Sequence, residues 1–148
     1  MLTWDDITKA IGLTLGGDRE EGGTALRACW SQTSETDHAQ RCVIAHYLAD
    51  LEAEVADEVM WDERALAEYE HVEGAELAPI GIPDAAGMAP SLHLNLGDGY
   101  LRQGRIADAR KHVDAGLAGQ HVLDTGGYGA MIRQGLARLA DRVEAAER

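Results

Sequence analysis

Phenylalanine is absent, and only three prolines and two cysteines occur among 148 residues. Without phenylalanine the core must be filled mainly by aliphatic side chains, beside abundant alanine and glycine. Small side chains let helix axes approach, so this composition suits closely packed helices. β-Branched residues are sparse, and no run alternates apolar and polar residues over a strand's length, which speaks against a sheet. Cys29 and Cys42 are too few for a disulfide framework. No apolar run approaches the about 18 residues of a membrane helix, and no basic start followed by an apolar run marks a secretory leader. These absences predict a cytoplasmic chain with reduced thiols and no membrane partner.

Basic residues are also scarce. Lys and Arg number 13 against 26 Asp and Glu, a formal net charge of −13. An acidic surface repels phosphate, so nucleic acid is not an expected partner. The imbalance is uneven: residues 1–101 hold 20 acids and 5 basic residues, whereas residues 102–148 hold 6 and 8. Beyond solubility, that asymmetry fits a basic partner or head-to-tail self-association. The 45% hydrophobic content supports one domain, residues 1–148, with a core that needs no metal or disulfide.

What the chain does have is helical periodicity. Thr3 and Asp6 stand at capping-box spacing before the stripe Trp4, Ile7, Ile11 and Leu15, which ends at Gly16-Gly17. Further helices are predicted over 18–31, 37–51 and 55–70, the last burying Val59, Met60, Leu66 and Tyr69. Residues 74–90 contain three prolines and three glycines and read as a long loop. Helices over 91–103 and 106–118 follow. A last helix carries Met131, Ile132, Leu136, Leu139 and Val143, with Arg133, Arg138 and Arg142 on the wet side. The fold class predicted is all-α.

Residues 90–120 resemble a tetratricopeptide (TPR) repeat. Counting from Pro90, Leu96, Gly97 and Tyr100 take the leucine, small and tyrosine positions, Gly104 the turn, and Ala109 and Val113 the small and large positions of the second helix. The closing proline is absent. Counting from Thr3, Ala10, Gly17, Gly22 and Leu26 fit the same scheme, and residues 38–70 resemble a third copy with Ala45 at the small site. The resemblance implies an α-α superhelix of about three TPR-like helical hairpins, closed by a carboxy-terminal capping helix.

It also implies a function: a protein–protein interaction module whose concave groove takes a peptide or partner helix. The first helix of each hairpin would line that groove with Cys42, His46 and Asp50 from the middle unit. The last unit would add Ser91, Leu94, Asn95, Asp98 and Arg102. Trp4, Ile7, Ile11 and Leu15 would give one end an apolar stripe, a possible homodimer surface. The basic clamp of chaperone-tail binders is missing, with only Asn95 matching.

Other chemistry is weakly signalled. His38, Cys42 and His46 lie four residues apart, but the outer two are separated by about 12 Å of helical rise, too far to share one zinc. A helix histidine paired with Asp50 one turn away explains His46 more simply. His46, Asp50, His93 and Asp98 form the alternative reading, a small-ligand-binding or metal-dependent enzyme site. Gly126-Gly127-Tyr128-Gly129 has neither a preceding strand nor a following lysine, so it reads as a connector. No catalytic residue, resident metal or cofactor is assigned.

Overall fold

The computed structural model describes residues 1–148. Seven α-helices account for most of the chain, and there is no strand. They are α1 (Trp4–Leu15), α2 (Arg19–Gln32), α3 (His38–Ala49), α4 (Val55–Tyr69), α5 (Ala89–Arg102), α6 (Ile106–Gly119) and α7 (Gly127–Glu147). No helix is long and apolar enough to cross a membrane.

Local chemistry accounts for the boundaries. At the start of α1 the Thr3 hydroxyl accepts from the Asp6 amide, and the Asp6 carboxylate accepts from the Thr3 amide at 2.9 Å. Asp18 caps α2 through the Glu21 amide. Gly17 and Gly104 adopt φ of +100° and +77° in the short connectors after α1 and α5, a backbone that glycine enters at little cost. Pro90 sits in the first turn of α5, where its missing N–H has no intrahelical partner to lose, so this helix starts before Ser91.

Residues 74–88 are a more ordered connection than their composition suggests. They form short 3-10 turns at Ala78–Ile80 and Ala85–Met88. Leu77, Ala85 and Met88 are buried, and Tyr69 donates its hydroxyl hydrogen to the Ala85 carbonyl at 2.8 Å. The turn residues set the path, and these side chains anchor it.

Consecutive helices pack most extensively in pairs, α1 with α2, α3 with α4, and α5 with α6, while α7 rests on α5 and α6. Glycine sets the tightest crossings. A Cβ on Gly22 would lie 2.8 Å from the Thr14 amide nitrogen of α1. One on Gly97 would lie 2.8 Å from Leu139 of α7 and 3.5 Å from the Ala109 carbonyl of α6.

Two apolar clusters result. The first joins α1, α2, α3 and the 74–88 connection through residues such as Ile7, Leu26, Ile44, Leu48 and Met88. The second joins α5, α6 and α7 through Leu96, Tyr100, Val113, Leu136 and Leu139. Helix α4 serves both: Ala65 belongs to the first, Val59 to the second, and Leu66 packs against each.

Several side chains depart from expectation. Ile7 and Ile11 are buried within the chain itself, leaving only Leu15 of that stripe strongly exposed. The apolar surface on which the homodimer expectation rested is therefore consumed by the molecule's own core. Met60 and Met131 are exposed rather than buried. Arg133 is half-buried and donates to the carbonyls of Gln120, Leu123 and Asp124, holding the chain ahead of α7 in place.

Candidate functional site

Helix α5 is the axis of the candidate site. Ser91, Leu94, Asn95, Asp98 and Arg102 recur at intervals of three or four residues, so they share one face. Ser91 is buried and its hydroxyl is hydrogen-bonded to that of Tyr128 in α7. Leu94 packs against Gly135 of α7, where a Cβ would meet its methyl at 2.8 Å. Asn95 points to α3, with its amide nitrogen 3.4 Å from His46 Nδ1. Asp98 accepts from Arg102 at 2.9 Å and from Arg142 of α7 at 2.8 Å, and Arg102 also pairs with Glu58 of α4. This face is thus bordered by α3 and α4 on one side and α7 on the other.

The structure brings together most, but not all, of the expected residues. Cys42 is fully buried, its sulfur 4.0 Å from that of Met88, so it is a core residue rather than a groove residue. Burial pushes its thiol up to about 12, leaving no thiolate for nucleophilic or metal chemistry at neutral pH. His46 does lie beside the α5 face, but its polar partner is Asn95 and not Asp50. Desolvation lowers its pKa to about 4, so the imidazole is neutral at neutral pH. In a proton NMR titration its ring signals are expected to stay flat between about pH 5.5 and 8, where an unperturbed histidine moves through its midpoint. A midpoint near 6.5 would mean a solvated ring and a different groove floor.

His93 is elsewhere. It precedes Asn95 by two residues, about 200° around the helix, and so faces the other side of α5. There its Nδ1 lies 3.0 Å from Nδ1 of His112 in α6, with the rings 5.3 Å apart and near parallel. Burial lowers the proton affinity of both histidines, which suits a neutral pair in which one ring donates N–H to the other. His46, Asp50, His93 and Asp98 therefore do not converge, and the enzyme site built from these four is corrected. No group of three or more His, Cys, Asp or Glu residues has metal-holding geometry.

Two buried carboxylates escaped sequence reading. Glu68 is 8% exposed and lies among His38, at 2.6 Å from Nδ1, Arg41 and Arg64. Asp62 is 2% exposed, and its Oδ1 has no hydrogen-bond partner. Burial first, then the negative charges of Asp50 and Glu58, raises its pKa to about 8, with Arg102 opposing and Asp98 adding to the rise. Asp50, at the end of α3, is also raised by desolvation, partly offset by Arg19. A signal was available: Val59, Asp62, Ala65 and Leu66 fall on one helical stripe, so an acid at 62 belongs to the inward face.

Four carboxyl groups therefore gather where the end of α3, the α4 helix and the α5 face meet, with Arg102 and Arg142 among them. The distinct cavities lie elsewhere. One of about 570 Å³ lies between the end of α4, residues 84–86 and His93, and another of about 330 Å³ lies at the start of α3. The α5 face is an open polar surface, suited to holding an extended or helical segment rather than enclosing a small molecule. No family model, curated protein or solved structure matches this chain.

Proposed function

We propose that this chain is a protein-interaction module, a TPR-like stack of three helical pairs capped by α7, that holds a peptide or partner helix along the α5 face. One observation carries the reading: Ser91, Leu94, Asn95, Asp98 and Arg102 form a continuous face whose side chains reach α3, α4 and α7. Neutral His46 with Asn95 supplies hydrogen-bonding capacity at its centre, and Tyr128 with Ser91 supplies it toward one end. Such a surface fits partner recognition through a few placed polar groups on rigid helices. The negative charge of residues 1–101 favours a partner segment that is basic.

A random peptide library selected on the full chain tests this. Enriched peptides are expected to lose about tenfold or more in affinity for Asn95→Trp, which fills the middle of the face, one tenfold step being about 1.4 kcal/mol. They should bind Lys111→Ala, a change on the exposed part of α6, as they bind the parent. Peptides indifferent to Asn95→Trp would place binding elsewhere and overturn the reading.

A further inference from the structure

The α5 face has a corner whose charges are not balanced. Arg102 is shared between Glu58 and Asp98, and Arg142 pairs with Asp98. Arg19 donates to the main-chain carbonyl of Asp50, not to its carboxylate. Every cation close to the corner is thus engaged with another group, and neutral His46 adds no positive charge. Asp62 lies beneath them with an unpartnered Oδ1, 2% exposed, amid the fields of Asp50, Glu58 and Asp98. A buried polar atom without a partner costs about 1–3 kcal/mol, which a correctly placed donor would recover.

We infer that this corner binds an organic cation, the ammonium or guanidinium of a lysine or arginine in the partner segment, with Asp62 as its counter-charge. The inference rests on the interaction reading above and names the chemistry of its partner. An organic cation fits better than a metal. Hard divalent ions require about six or more oxygen ligands at fixed distance, and no ligand set of even three groups is assembled. An ammonium carries three donors on a flexible stem and tolerates loose geometry. On binding, the Asp62 carboxylic acid gives up its proton to solvent and the resulting carboxylate accepts from the incoming N–H groups. Charge is conserved: one cation enters the corner and one proton leaves.

Calorimetric titration of the full chain with an oligolysine peptide, in buffers of different ionisation heat near pH 7, reads both parts. The parent is expected to release about one proton per bound peptide. Asp62→Asn, which keeps the side-chain shape, should abolish that release and weaken binding about tenfold, the loss of one charge-assisted contact. Asp141→Asn, an exposed acid on α7 with the same effect on net charge, should leave both unchanged. Binding that ignores Asp62→Asn, or responds equally to Asp141→Asn, would reduce the effect to general attraction by an acidic surface and overturn the inference. Library peptides that need Asn95 but lack basic residues would then leave the interaction reading standing. Conversely, oligolysine binding that needs Asp62, without any peptide sensitive to Asn95→Trp, would keep the cation site and sink the groove.

Discussion

Gly22→Val is expected to destabilise the protein by about 3 kcal/mol, seen as a fall in melting temperature on the order of 10 °C. The cause is steric and involves main chain. A Cβ at this position would stand 2.8 Å from the Thr14 nitrogen and 3.1 Å from its Cα, and closer still to its methyl group. A neighbouring side chain could rotate away, but here α1 itself must move off α2, opening the cluster around Ile7 and Leu26. Gly12→Ala is the companion measurement. Nothing lies within 4 Å of a Cβ there, and the position is helical and exposed, so alanine should add about 1 kcal/mol through helix propensity. Equal behaviour of the two variants would contradict the close α1–α2 crossing.

Asp62→Asn is expected to make the protein more stable, by up to about 4 kcal/mol at pH 7, with the gain depending on pH. The folded-state pKa of Asp62 is raised to about 8 from the ordinary 3.8, chiefly by burial. Between those values the folded chain holds a proton that the unfolded chain releases, so rising pH favours unfolding throughout that window. The penalty is absent below about pH 4, grows through neutrality and levels off above about pH 8. Denaturant unfolding of parent and variant should therefore give converging stabilities near pH 4 and the largest separation near pH 8. His46 works in the opposite sense. Its lowered pKa removes stability as pH falls from about 6.5 toward 4, so it shapes the acid side while Asp62 shapes the alkaline side. A pH-independent difference between parent and Asp62→Asn would show that the carboxyl group is solvated.

The helices were legible in the sequence because caps, glycine turns and apolar periodicity agreed. Thr3 with Asp6, Gly17 and Gly104 each act locally, and local chemistry survives without knowledge of the fold. The site was only partly legible because facing depends on neighbours several tens of residues away. Asn95 and Asp98 could be placed on one side of α5 by counting, and so could His93 on the other. That His46 meets Asn95, 49 positions away, could not be counted. Cys42 illustrates the limit from the other direction: its register fits a groove residue, but Met88 from the 74–88 connection covers it. Leu77 and Met88 were hidden in a segment rich in proline and glycine, where turn residues mask the anchoring side chains.

The sharing of α4 between two apolar clusters has a spectroscopic consequence. Trp4, Trp30 and Trp61 all pack against the first cluster, and the second contains none of them. Trp30 and Trp61 meet edge to face at 5.1 Å, with the guanidinium groups of Arg41 and Arg64 over the Trp30 ring. Indole emission therefore reports the environment of the amino-terminal core, while helical ellipticity sums over the whole chain. Coincident transitions by the two probes would require α4 to couple the cores into one cooperative unit, and a lag between them would measure the strength of that coupling.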